Sequence, residues 1–151
     1  MGSLMIILGN RSFLALPYIS EMKDIFNRRV KFRENFRSFA AAILEEHKYL
    51  AHTKMNPYML IVLKIKSMRK LIPTVSQVDG TVRILTLNKN ENTKLYKLQC
   101  AIRQITGHCI VLNTPFNVKG EPIIFLPENA IESLAGADVG VLYLGNLKKN
   151  K

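Results

Sequence analysis

Apolar and polar positions along this chain follow two periods in turn, one suited to strands and one to helices. Leu4-Met5-Ile6-Ile7-Leu8 is an apolar run stopped by Gly9-Asn10-Arg11, which reads as a buried strand and is too short to span a membrane. Met22, Ile25, Phe26 and Val30 recur at helical spacing behind Ser20, an N-cap candidate, and predict a helix over 20–29. Phe36, Phe39 and the run from Ala40 to Leu44 predict a strand that turns into a short helix across Glu45 to Leu50. After Asn56-Pro57, the stretch from Tyr58 to Ile65 has the β-branched, apolar character of a central strand. Asp79-Gly80 offers a turn into a second such strand, Thr81 to Leu87.

Further on, Leu95, Leu98, Ile102 and Ile105 recur every three or four residues between Thr93 and Thr106, with Gly107 placed to stop the helix. His108 to Asn113 reads as a buried strand and Pro127 to Leu134 as a short helix with proline at its start. Val139 to Leu144 supplies a last strand, and Lys148 to Lys151 reads as a basic, solvated tail. Strands alternating with helices predict one α/β (α+β) domain over 4–147 around a mixed sheet.

Composition sharpens this picture in two ways. With 22 Lys and Arg against 11 Asp and Glu, the net charge of +11 favours anionic ligands, phosphates foremost. The two cysteines, Cys100 and Cys109, lack CxxC spacing, which excludes a zinc pattern and suits a cytoplasmic, reducing setting. His47, His52 and His108 show no metal-ligand spacing and read as surface or packing residues, while Cys109, next to a buried strand, reads as core.

Four segments in order carry a resemblance across nearly the whole chain. The first runs from Leu8-Gly9-Asn10-Arg11-Ser12 through Lys31-Phe32-Arg33-Glu34 to Phe36-Arg37-Ser38-Phe39-Ala40; the second is Asn56-Pro57-Tyr58-Met59-Leu60. The third joins Ile72-Pro73-Thr74-Val75 to Val78-Asp79-Gly80-Thr81-Val82-Arg83. The fourth joins Thr106-Gly107 to Leu112-Asn113-Thr114-Pro115-Phe116-Asn117 and Gly120-Glu121-Pro122-Ile123. Together they resemble the C-terminal, YrdC-like domain of the O-carbamoyltransferases of nodulation and antibiotic biosynthesis.

The resemblance implies a YrdC-like twisted sheet that binds ATP, with its Mg²⁺, and carbamoyl phosphate, and joins them as carbamoyl-adenylate. An actin-like N-terminal domain, expected to be absent from these 151 residues, would then pass the carbamoyl group to an alcohol. Lys31 and Arg33 have the K-x-R form of the family's phosphate site, and Arg37 and Arg83 stand at matching positions. Lys31, Arg37 and Arg83 are the implied catalytic set. In a strand, residues 31 and 33 would face one ligand together. Arginine suits that task because its planar fork holds phosphate oxygens in pairs. Asn113 and Asn117 are expected to bond the ligand at a strand end, whereas Gly120-Glu121-Pro122 reads as a turn that starts the next strand. Arg11 is a further candidate ligand-binding cation, beside the expected domain boundary.

Three positions depart from the family pattern. Ile6 stands where an arginine is expected, Gln77 where a histidine is, and Pro115 where a serine is, which removes a hydroxyl and a backbone N–H. Two other readings use the same basic surface: a non-catalytic nucleotide- or RNA-binding module, and a subunit that docks on a separately encoded actin-like domain. No membrane partner is expected.

Overall fold

The computed structural model describes residues 10–47, 56–65, 70–137 and 139–151. The strand expected at Leu4 to Leu8 and the departure at Ile6 lie outside these residues, as do His52 and the last part of the helix expected at Glu45 to Leu50. Residues 45–47 form one short 3₁₀ turn.

A five-stranded sheet runs in the order β1-β5-β2-β4-β3, from β1 (Ser12–Ala15), β2 (Ala40–Leu44), β3 (Val62–Lys64), β4 (Thr81–Leu87) and β5 (Ile110–Pro115). Only β2 and β4 are parallel among its pairs. The expected mixed α+β architecture is therefore what the chain forms. Both faces carry apolar clusters, because alternate residues of β2 and β4 enter different ones. On one face Ala41, Ile43, Val82, Ile84, Ile110 and Leu112 meet Phe13, Phe26, Phe39 and Ile72. On the other, Ala42, Leu44, Leu85 and Leu87 meet Leu95.

The described residues form three helices. The first, α1 (Met22–Ile25), passes directly into a π-helical turn, Phe26–Val30, in which the Lys31 amide donates to the Phe26 carbonyl. Its N-cap is Glu21 rather than Ser20, and no side chain caps it. The second, α2 (Thr93–Thr106), starts at Asn92, whose side chain accepts from the Leu95 amide, and ends at Gly107 with φ of 74°. Glycine takes that left-handed conformation without a Cβ penalty. The face that α2 buries differs from the apolar count: Leu95 and Gln99 are buried, while Leu98 and Ile105 are exposed. Gln99 holds the helix to the sheet, its amide donating to the carbonyls of Ala42 and Cys109. The third, α3 (Pro127–Gly136), packs Ala130 and Leu134 on Ile124 and Leu142 in a separate cluster.

Two expectations are corrected. Tyr58 to Ile65 is not a central strand: only Val62–Lys64 is extended, and it forms the edge of the sheet beside β4. The buried Asn56 side chain causes this by accepting from the Leu60 amide and donating to the carbonyls of Ile61 and Ile84, which fixes a turn with Met59 at φ of 53°. The basic terminus is solvated as expected, but it forms a strand and not a tail. Leu147–Asn150 (β7) pairs antiparallel with Val141–Leu144 (β6) as a separate two-stranded sheet, exposed along β7 with Leu142 of β6 buried.

Candidate functional site

A cleft of about 270 Å³ opens on the sheet face that α2 also packs against, with no α2 residue in its lining of Arg33, Arg37, Ser38, Phe39, Ala40, Met59, Arg83 and Asn113 to Pro115. Strand register explains it. Asn113 lies opposite Ala40, and because Ala41 lies opposite Ile84, Arg83 sits one step before that pair. The three residues therefore form a row across β5, β2 and β4 with side chains on one face. Alanine in the middle leaves the depression that the longer side chains wall.

Arg33, Arg37 and Arg83 charge this cleft. Burial, and after it the charges of Arg37 and Arg83, hold the Arg33 guanidinium below its ordinary pKa. Arg33 thus senses both other cations. Nothing in the lining carries a carboxylate, and the nearest acidic partner, Glu34, reaches Arg37 at 3.9 Å from an exposed position. Such a surface pair neutralises little. Arg33 is held by its Nε, which donates to Asn27 Oδ1 at 2.7 Å, and its guanidinium lies 4.5 Å from the centre of the Phe39 ring.

Asn113 is 4% exposed, and its Oδ1 has no hydrogen-bond partner. A buried acceptor left unpaired costs about 1–3 kcal/mol, which a bound donor would recover. Pro115 ends the same strand. Its pairing with Ser12 leaves the backbone bond on the β1 side to Phe116, whose amide donates to the Arg11 carbonyl, so the missing N–H of Pro115 falls on the side where β2 has not yet begun. The sheet loses nothing by it.

The remaining expected site residues lie elsewhere. Residues 31–33 are not a strand: Lys31 caps the π-turn in helical conformation and Phe32 has φ of 46°, so Lys31 and Arg33 do not share a face. Lys31 is buried and its ammonium donates to Pro115 O, Asn117 O and Asn117 Oδ1. Burial, with the charge of Arg33 adding to it, pushes its pKa down to about 8. Asn117 is engaged at both ends, accepting from Lys31 and donating to the Glu121 carbonyl, and so braces the loop. Arg11 donates to the Ile124 carbonyl and stacks on Phe125, away from the cleft lining.

Asp79 serves the expected turn, accepting from the Thr81 amide and hydroxyl, and Gln77 joins it through its backbone. Gly120, at φ of 80°, makes the expected turn, but no strand follows it. His108 stacks on Tyr18, and Cys109 packs against the core with its thiol pKa raised by burial. Asn27 and Met59 are site residues that sequence reasoning missed. The only signal for Asn27 was a polar residue inside an apolar helical seam.

Comparison with known proteins gives this arrangement a family: the model described as "Carbamoyltransferase C-terminus" matches residues 7–151. The chain belongs to the carbamoyltransferase C-terminal family. Relatives include the nodulation protein NolNO of Sinorhizobium fredii, 37% identical over 92% of this chain and 21% of that protein. Nodulation protein NolO of Bradyrhizobium diazoefficiens is 34% identical over 91% of this chain and 26% of its own length. An uncharacterized protein of Methanocaldococcus jannaschii, MJ1051, is 40% identical over 92% and 27% respectively. The carbamoyltransferase C-terminal chain thus spans about a quarter of the length of the relatives it matches. Among its described residues no helix is long and apolar enough to cross a membrane, and no cluster of His, Cys, Asp and Glu could hold a metal ion.

Proposed function

We propose that this domain binds carbamoyl phosphate and ATP in the three-arginine cleft and forms carbamoyl-adenylate. The observation that carries the reading is the buried, unpartnered Oδ1 of Asn113 beside Arg33, Arg37 and Arg83. A phosphate dianion that also bears an amide N–H₂ satisfies both, its oxygens on the guanidinium forks and its amide on Asn113. Carbamoyl phosphate has that form. Bringing it to the phosphates of ATP sets two polyanions together, and fixed cations offset their repulsion. The reaction would release phosphate from carbamoyl phosphate with uptake of water, and pyrophosphate from ATP as the carbamate oxygen attacks the α-phosphorus. Mg²⁺ would enter on the ATP phosphates with water as its other ligand, because the lining offers no carboxylate to hold it.

In this reading Arg33, Arg37, Arg83 and Asn113 touch the ligands, while Lys31 and Asn117 hold the loop that carries Pro115 to them. Arg11 contributes nothing to the cleft. The alcohol acceptor belongs to a separate actin-like domain, consistent with the greater length of the relatives and with a cytoplasmic setting. The test is calorimetry with carbamoyl phosphate and with Mg²⁺-ATP at low and high salt. Binding that weakens as salt rises is expected, since ions screen the attraction. Asn113→Ala should weaken carbamoyl phosphate roughly tenfold, as loss of one hydrogen bond to the ligand requires, and inorganic phosphate much less. A folded parent that binds neither ligand refutes the proposal. Binding of single-stranded RNA in place of both would favour the RNA-binding reading.

A further inference from the structure

Asn27 is 0% exposed, an unusual place for an amide, and it sits in the π-helical turn Phe26–Val30. Turns of this kind recur at functional sites because one extra residue re-aims the side chains around it. Its Oδ1 accepts from Arg33 Nε at 2.7 Å, and its Nδ2 donates to the Arg37 carbonyl at 3.1 Å and, more weakly, to the Asn35 carbonyl at 3.5 Å. Its own carbonyl accepts from the Arg33 amide at 2.9 Å. One buried side chain therefore ties down two of the three cleft arginines, Arg33 through its guanidinium and Arg37 through its backbone.

The consequence for Arg33 is geometric. With Nε committed to Asn27 and one guanidinium face against Phe39, the group has little rotational freedom left, and its two terminal nitrogens are the donors available to an anion. Holding the fork in advance reduces the ordering cost of binding. The positive charges of Arg37 and Arg83 would otherwise push a free Arg33 side chain away from them.

We propose that Asn27 is a positioning residue that presents the Arg33 fork, and with it the Arg37 segment, to a phosphate group; this rests on the cleft being the anion site. The probe is inorganic pyrophosphate, with affinity measured by calorimetry and folding by thermal denaturation. Asn27→Ser should weaken pyrophosphate binding about tenfold, the scale of one lost hydrogen bond to a charged group. In an Arg33→Ala background the same change should weaken it clearly less. Equal losses in both backgrounds, or an unchanged affinity in the folded variant, overturn the proposal while leaving the cleft reading intact. A parent that does not bind pyrophosphate overturns both.

A measurement on the unaltered protein stands should the variant fail to fold. The Arg33 Nε–H should exchange slowly with solvent and stay protected when pyrophosphate is added, while the terminal nitrogens shift. Loss of that protection on addition would show the fork turning away from Asn27 and sink the idea.

Discussion

Lys31→Met tests the link between the core and the cleft most directly. Methionine keeps an unbranched apolar side chain in the buried site and removes only the ammonium, which donates to Pro115 O, Asn117 O and Asn117 Oδ1. Hydrogen bonds to a charged group contribute roughly 1.5–3 kcal/mol each, and three of them are opposed by the several kcal/mol that desolvating an ammonium costs. Water can reach the half-buried Asn117 in the variant. The net loss should then be about 1–3 kcal/mol, near the cost of one stranded acceptor. For a chain of this size that lowers Tm by roughly 2–10 °C.

The pH dependence supplies an independent check. Lys31 is pushed down to about 8, below the ordinary lysine value of 10.5 that the unfolded chain keeps. Between those values the unfolded state binds more protons than the folded state, so the parent gains stability as pH rises. The penalty for the buried charge is full below about pH 8 and gone above the unfolded value. Methionine does not titrate, so the gap in Tm between parent and variant should widen from pH 8 to 10. Differential scanning calorimetry at four or so pH values reads both effects. An unchanged Tm at pH 7 would show that Lys31 does not brace the loop, and a gap that narrows above pH 8 would refute the depressed pKa.

Two further outcomes concern the cleft itself. Arg83→Ala should cost about 1.5–3 kcal/mol of ATP binding with Tm nearly unchanged, because Arg83 is exposed on β4 and its loss strands no buried partner. An unaltered ATP affinity by calorimetry would remove Arg83 from the site. Pro115→Ser should raise the rate of carbamoyl-phosphate-dependent pyrophosphate release, because serine brings a hydroxyl and an N–H to a residue that lines the cleft. A folded, ATP-binding variant no faster than the parent would show that Pro115 does not limit the half-reaction.

How far the sequence reached is clearest in particular elements. Thr81 to Leu87 and Thr93 to Thr106 have the expected ends, because their signals are local: a turn with Gly80 at φ of 79° before the strand, and a left-handed glycine after the helix. Family membership was legible for a similar reason, since ordered motifs survive without reference to contacts. The cations at 33, 37 and 83 were named from the chain, and folding brings those three to one cleft. Local signals failed where a distant polar group decided the outcome. Tyr58 to Ile61 has strand composition, yet Asn56 bonds its backbone into a turn; Leu98 and Ile105 have core composition, yet Gln99 turns the buried face of the helix away from them.

Tertiary structure alone decided which cation lines the cleft. Lys31 and Arg33 are equivalent in a K-x-R motif if the backbone is extended. The π-turn and the positive φ at Phe32 break that equivalence, sending Lys31 inward to three oxygens and leaving Arg33 at the cleft. Charge and spacing determine that this chain is strongly basic and which cations its motifs carry. Which of these cations is spent inside the fold depends on the carbonyls and amides that packing brings within hydrogen-bond reach, and for Lys31 those partners come from residues more than 80 positions away.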